Sequence, residues 1–332
     1  MKHLQIIDQN RRASGGHFEL IQGLRSEAAH RQRTLRGPVR CEGIGVHSGR
    51  PVTMTLRPGR ANTGIIVVRM DVPPAARIIR VHWTQVEATQ LATVVGNRYG
   101  LSASTVEHLM AAFRGCGVDN AVVELDGPEI PIMDGSSAPL VSLIQRAGLR
   151  TQAAVRRYLR VLKVVEVRQG DKLARLSPDD RPRFSVGIDF PSPVIGMQSY
   201  SVVLNDGVFE RELAACRTFG FQSDLETLRA QGLAQGGSLD NAILVAGDRV
   251  ANPGGLRFPD EFVRHKLLDS IGDLYLAGAP IIGSYTAFKP GHALNAALLE
   301  ALFADDSAWC FATSDQIWQE EAESADPIRA FG

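Results

Sequence analysis

The chain has 332 residues, 44% hydrophobic and 22% charged, a globular balance that is long enough for two domains with full cores and excludes disorder over most of its length. Thirty-six basic and thirty-six acidic residues cancel, which removes the electrostatic footprint of a nucleic-acid or anionic-membrane binder and leaves any anionic ligand to a local cluster. Four isolated cysteines, Cys41, Cys116, Cys216 and Cys310, form no C-x-x-C pair, and no apolar run approaches the roughly 18 to 20 residues that span a bilayer, so a cytoplasmic protein without thiolate zinc or a disulfide framework is expected.

Residues 1–31 are polar, Arg-rich and weakly periodic, and read as a poorly ordered extension with at most a short helix near Phe18 to Leu24. Structure is expected to begin at QRTLRG. PVTMTLRP, Pro51 to Pro58, alternates as a half-buried strand does. A helix follows at about Thr105 to Phe113, ended by Gly115 and Gly117, then a strand NAVVELDG, the turn PIMDGSSAPL and a helix from about Pro139 to Ala147. YLRVLKVVEV and KLARLSP flank a turn at Gly170-Asp171 and predict a hairpin. RFSVGIDF places Phe184, Val186, Ile188 and Phe190 on one strand face.

From Asp260 to Ala277 the spacing predicts a helix, with Val263, Leu267, Leu268, Ile271, Leu274 and Tyr275 on an apolar arc. A Gly-Ala-Pro break and the strand IIGSYTAF follow. Both halves thus carry a histidine-bearing helix, a glycine-containing break and a β-rich run, which suggests two related α+β units.

On that helix His265, Asp269 and Asp273 lie at four-residue intervals, with Lys266 beside the first, so the three side chains share one face. A solvated face with a weak His-Asp contact would have this spacing. Two metal ligands one turn apart would have it too, and a catalytic zinc then needs a third ligand from elsewhere. STVEHLMAAF offers one: Glu107 precedes His108, the adjacency of a general base beside a ligand. Ser104-x-x-Glu107 also spells a capping box, and a glutamate folded back on its cap cannot serve a metal-activated water. FKPGHALN sets His292 in a Gly-flanked loop after a strand; paired with Asp273 it would be held cationic. Thr218 in CRTFGF is either an oxyanion donor or an ordinary strand threonine.

Taken in order, STVEH, PEIPIMDGSSAP, CRTFGF, GGSLDNAI, LRFPDEFVRHKLLDSIGD and TAFKPGHALN closely resemble the zinc-dependent UDP-3-O-acyl-N-acetylglucosamine deacetylases of lipid A biosynthesis, from about Gln32 to Phe303. The resemblance implies an α+β fold: two domains of similar two-layer sandwich topology, 32–154 and 155–304, with their helical layers packed together. Each carries a small insert, near 70–95 and a βαβ insert near 217–246, and a C-terminal tail, 305–332, acidic in its middle, is expected to be partly disordered. It implies one Zn2+ on His108, His265 and Asp269. Glu107 becomes the general base, His292 oriented by Asp273 the acid or stabilising cation, and Thr218 and Lys266 assist the oxyanion and substrate.

For the substrate's UDP group the matching positions are Lys172, Arg217, Lys266 and Lys289, with Phe190 to stack on uracil. For its acyl chain they are Val46, Phe219, Phe221, Ala234, Gly237, Ser238, Ala242 and Leu244. The segment QVEATQLATVVGNRYG aligns loosely and receives no catalytic residue. The expected activity is removal of acetyl from UDP-3-O-acyl-N-acetylglucosamine, with a small-molecule substrate, no nucleic-acid partner and a monomeric enzyme. An enzyme of the same scaffold for another N-acyl sugar nucleotide and a non-enzymatic binding module are the rivals. Arg217-Thr218-Phe219 with the basic set argues against the first, and the complete set Glu107, His108, His265, Asp269 and His292 against the second.

Overall fold

The computed structural model describes residues 30–317; the N-terminal helix expected near Phe18 to Leu24 and the acidic part of the tail lie outside the described residues. The fold mixes helices with several β-sheets. Residues 39–125 build a five-stranded sheet in the order Val39–Ile44, Pro51–Pro58, Ala121–Leu125, Ile65–Arg69, Ile78–Arg80. Alternation decides which face is inward: Val52, Met54 and Leu56 from one strand and Ala121, Val123 and Leu125 from its neighbour are buried. A ribbon of Arg31–Leu35 against Leu149–Val155 closes this half.

The second large sheet has seven strands, centred on Ile281–Phe288, which runs parallel to both Pro182–Asp189 and Arg157–Val161. One sequence expectation changes here. YLRVLKVVEV is two strands rather than one: Arg157–Val161 sits beside Ile281–Phe288, the chain turns out at Leu162 to Val164, and Val165–Gln169 forms the hairpin with Lys172–Ser177. The turn-out is visible in burial, since Leu162 and Val164 are exposed while Val161 is not. Part of the expected tail is also ordered, because Trp309–Thr313 pairs antiparallel with Arg157–Val161 and Trp309 packs edge-on against Phe303.

The helices are α1 (Glu107–Cys116) and α2 (Ala138–Ala147) in the first half, and α3 (Val208–Glu212), α4 (Leu225–Ala230), α5 (Glu261–Tyr275) and α6 (His292–Phe303) in the second. α1 ends at Gly117, whose φ of 68° lets its N–H reach back to the carbonyls of Phe113 and Arg114. α4 connects the parallel strands Phe219–Phe221 and Ile243–Ala246.

The crossing of α1 on α5 positions everything that follows. Gly272 lies in the interior of α5, where glycine costs about 1 kcal/mol relative to alanine. A Cβ there would overlap the Glu107 carbonyl and come within 3.1 Å of the Ala111 nitrogen. The two backbones therefore touch, and the polar arc of α5 faces α1 instead of water. His265, Asp269 and Asp273 are 2%, 4% and 2% exposed, which removes the solvated-face reading of their spacing.

Candidate functional site

His108, the second residue of α1, meets His265 and Asp269 of α5 across this contact. One ligand atom from each lies within 4.8 Å of the others, and all three residues are buried. Both imidazoles aim Nε2 at one carboxylate oxygen: His108 Nε2 is 3.4 Å and His265 Nε2 3.2 Å from Asp269 Oδ1. That oxygen is buried and accepts no hydrogen bond, a costly condition for a carboxylate unless a cation is its partner. His265 Nδ1 lies 3.0 Å from the Cys216 carbonyl. Donation from Nδ1–H leaves the Nε2 lone pair facing the cluster, the arrangement of a metal-bound histidine with its supporting hydrogen bond. Burial lowers the His265 pKa to about 4 against the pull of Asp269, so the ring is neutral, as a ligand must be. The residues present thus fit a metal ion held by two nitrogens and one oxygen. Asp269 Oδ2 takes the Lys266 ammonium at 2.9 Å.

Glu107 is 3% exposed and does not cap its helix. The α1 N-cap is Val106 with no side-chain cap bond, and Ser104 Oγ instead points to the Pro128 carbonyl at 3.4 Å. The capping box is absent, and Glu107 Oε2 accepts from the Thr93 N–H at 3.0 Å. Its other oxygen is 3.8 Å from His292 Nε2. Burial pushes the Glu107 carboxyl above its ordinary range, opposed by His292 and His108.

His292 is the first residue of α6 rather than part of a free loop. Its Nδ1 is 2.9 Å from Asp273 Oδ2. Burial disfavours its cation, but Asp273 and Glu107 together outweigh that and raise the pKa to about 9. Asp273 also accepts from Thr93 Oγ1 at 2.6 Å and Asn295 Nδ2 at 2.8 Å, and Asn295 is in turn held by Tyr285 at 2.6 Å.

Thr218 follows Cys216 and Arg217 into the second insert; its N–H donates to the Gly135 carbonyl and its carbonyl accepts from Ile243, both at 2.8 Å. Phe219 lies edge-on to Phe262 at 5.0 Å and reaches the His265 ring at 6.3 Å. Phe190, the candidate for uracil, sits 5.6 Å from Phe219 and 5.7 Å from Phe221. Phe190, the candidate for stacking, and Phe219 and Phe221, two candidates for the acyl passage, therefore form one aromatic cluster adjoining α5.

Val46 approaches the same insert through its carbonyl, 3.0 Å from Gly236 N, while His47 O accepts from Gln235 N at 3.1 Å. Ala234 stands in that loop at a φ of 53°, and its carbonyl accepts from the Gly237 N–H at 3.3 Å. Ser238 lies exposed, its carbonyl bonded to Ala242 N, and Leu244 N donates to Asn252 at 2.8 Å.

The basic set divides. Lys266 belongs to the buried cluster. Lys289, at the rim, pairs with Asp171 at 2.7 Å and Asp189 at 3.2 Å, and Lys172 is exposed nearby on the Lys172–Ser177 strand. Arg217 is 8% exposed and committed to Glu261, with Nε–Oε1 at 2.9 Å and Nη2–Oε2 at 3.2 Å. In this structure it ties the Thr218 segment to the start of α5 and presents no free cation.

Three residues near the site were missed in the sequence. Thr93 lies in the segment that received no catalytic residue. Glu129, 1% exposed, accepts from the His47 and Ser48 N–H groups and from Thr105 Oγ1. His47 has its pKa lowered by burial and by the charge of His292, against Glu129. The flanking Gly45 and Gly49 gave His47 the same signal that singled out His292; nothing local marked the other two.

The model of one protein family, LpxC: UDP-3-O-acyl N-acetylglycosamine deacetylase, matches residues 32–304. A UDP-3-O-acyl-N-acetylglucosamine deacetylase of Phenylobacterium zucineum is 51% identical over 278 residues, covering 84% of this chain and 95% of that protein. Proteins of the same name from Anaeromyxobacter sp. strain Fw109-5 and Shewanella sp. strain W3-18-1 are 53% and 48% identical, covering 82% and 84% of this chain and 89% and 91% of theirs. With most of its length matched, and with a buried His-His-Asp cluster at the centre of the match, the chain belongs to the LpxC family of UDP-3-O-acyl N-acetylglycosamine deacetylases.

Proposed function

We propose that this chain is a zinc-dependent amidohydrolase that removes acetyl from UDP-3-O-acyl-N-acetylglucosamine, yielding UDP-3-O-acyl-glucosamine and acetate at an early step of lipid A biosynthesis. The observation that carries the reading is the convergence of His108, His265 and Asp269, with Glu107 and His292 on the adjoining side of the cluster. Two imidazoles and a carboxylate are the protein donor set that a catalytic zinc takes. The chemistry supplied by that ion when bound is a water acidified toward a pKa of about 7 and polarisation of the acetamide carbonyl.

The chain's own residues do the rest. Glu107, held by the Thr93 N–H, takes a proton as the water attacks the carbonyl. Thr218 donates to the oxyanion that develops, with Lys266 close enough to Asp269 to add positive charge at the same face. His292, kept cationic by Asp273, turns Nε2 toward Glu107 and gives its proton to the departing glucosamine nitrogen. The C–N bond breaks, and acetate and the free amine leave. The aromatic cluster supplies apolar surface for the acyl chain, beside the loop that the Gly236 N–H ties to the Val46 carbonyl, and Lys172 and Lys289 are the cations offered to the diphosphate. Arg217 serves this reading through the Thr218 segment.

The same proposal includes two units meeting at α1 and α5, 32–154 and a second from 155 that extends through the Trp309–Thr313 strand. It also includes a monomeric, cytoplasmic enzyme; no helix among the described residues is long and apolar enough to cross a membrane. The test is metal analysis and deacetylase assay of the wild type beside His265→Ala. One zinc per chain with activity in the wild type, and loss of both in the variant, is expected; a wild type without zinc, or an active variant, overturns the reading.

A further inference from the structure

Thr93 is 2% exposed and stands immediately before the short strand Val94–Gly96 of the first insert. It touches both halves of the molecule. Its N–H donates to Glu107 Oε2 on α1 at 3.0 Å, and its hydroxyl donates to Asp273 Oδ1 on α5 at 2.6 Å. Its carbonyl accepts from Val106 N at 3.4 Å, fixing the residue against the start of α1. One threonine therefore binds the carboxylate read above as the base and the carboxylate that orients the acid.

We infer that Thr93 is a positioning residue for the deacetylation, holding Glu107 and the Asp273–His292 pair in a fixed relation across the α1–α5 contact. The inference rests on the roles proposed above for Glu107 and His292. The two arms of Thr93 are chemically separable. The arm to Glu107 is backbone and survives any side-chain change that leaves the chain trace in place. The arm to Asp273 is the hydroxyl alone. Asp273 Oδ2 already serves His292 Nδ1 at 2.9 Å and Asn295 Nδ2 at 2.8 Å, so Oδ1 is the oxygen that Thr93 satisfies. Without that donor a buried carboxylate oxygen is left unpaired, and the carboxylate can relieve this only by rotating. Rotation moves Oδ2 and with it the His292 ring. The 3.8 Å between His292 Nε2 and Glu107 Oε1 is the distance that this clamp keeps.

The test compares Thr93→Val, which keeps the branched shape and removes the donor, with Thr93→Ser, which keeps the donor. Each is made alone and together with Asp273→Asn. Zinc content, thermal midpoint, kcat and KM for UDP-3-O-acyl-N-acetylglucosamine are measured on the zinc-loaded protein, with the His292 Nδ1 proton followed by NMR. In Thr93→Val, kcat is expected to fall by about 10- to 100-fold with KM and zinc content retained. Thr93→Ser is expected to stay close to wild type. The Nδ1 proton resonance should shift in the valine variant and not in the serine one. In the Asp273→Asn background the valine substitution should cost little more. Equal kcat for valine and serine, an undiminished valine effect beside Asp273→Asn, or a loss that follows zinc content would each overturn the inference. If the valine protein folds poorly, Thr93→Ala replaces it, and alanine matching serine in kcat overturns the inference equally. A wild type that does not deacetylate refutes the proposed function instead, and the NMR comparison still tests whether the Thr93 hydroxyl controls His292.

Discussion

Lys266 and Lys289 each hold an aspartate, Asp269 at 2.9 Å and Asp171 at 2.7 Å. Distance does not distinguish the pairs, but surroundings do. Asp269 is 6% exposed on its side chain and sits between two imidazoles, whereas Asp171 is 67% exposed at a turn. The first pair lies in a contact where backbone touches backbone; the second lies on a rim that water and salt can screen. Substitution in the helix contact should act on chemistry or on folding, in large steps. Substitution on the rim should act on substrate affinity, in small ones.

The largest expected effect is Glu107→Gln. The amide oxygen can still accept from the Thr93 N–H, so the variant should fold and hold zinc, while losing the base should lower kcat by about 100- to 10,000-fold. Single-turnover rates beside metal analysis check this. Near-normal turnover would leave Glu107 with a structural role only, and the helix contact would lose its chemical half.

Next is Glu261→Gln. This carboxylate, 0% exposed on its side chain, accepts from Arg217 N and Nε and, at 2.6 Å, from the Arg257 N–H. Burial alone would raise its pKa; the bonds from Arg217 and Arg257 outweigh that and hold it below the ordinary 4.5. A depressed folded pKa means that the stabilisation is present above pH 4.5 and is lost as pH falls through the folded value. Neutralising it leaves the Arg217 charge uncompensated, at a cost of about 3 kcal/mol. The expected result is lower stability at pH 7 and a shallower loss below pH 4.5 than in the wild type, read from urea unfolding across pH. Parallel curves would remove this pair from the account.

Gly272→Ala comes third. A Cβ there collides with the α1 backbone, so the helices must part, at about 1 to 3 kcal/mol. Because His108 lies on one side and Asp269 on the other, zinc affinity should fall with stability. Unchanged unfolding together with unchanged zinc affinity would show that the close approach does not set the metal geometry.

What the sequence made legible follows the same division. The i,i+4 spacing of His265 and Asp269 is a property of one helix, and Pro51–Pro58 alternates in burial as it does in sequence, whereas Pro182–Asp189 alternates in sequence yet is buried on both faces from Phe184 to Ile188. Whether that polar face met water could not be read locally, since the answer lies in Gly272 and in a helix from the other half. The capping box read from Ser104 and Glu107 had the right residues, yet Ser104 turns to Pro128 and Glu107 to Thr93, because a long-range donor won over the local one. Thr93 and Glu129 act through partners distant in the chain and carry no local signal. The pairing of the Arg217 guanidinium was hidden for a related reason: its partner, Glu261, lies 44 positions away.

On the rim, Lys289 tests the other side of the comparison. Its ammonium is shared by Asp171 and Asp189, which raise its pKa, the Asp171 hydrogen bond most. Lys289 also has a φ of 52°, so the substitution chosen should keep side-chain bulk; Lys289→Met does. If Lys289 meets the substrate diphosphate, a phosphate oxygen must compete with two carboxylates for the same protons. Removing the lysine should then raise KM by no more than about fivefold with kcat unchanged, the scale of an exposed pair. Asp171→Asn should do the opposite, lowering KM by freeing the ammonium, an outcome that a lysine serving only its turn would not give. Both effects should shrink as salt is raised. A change in kcat in either variant would mean that the rim reaches the chemistry, and an unchanged KM in both would take Lys289 out of the nucleotide site.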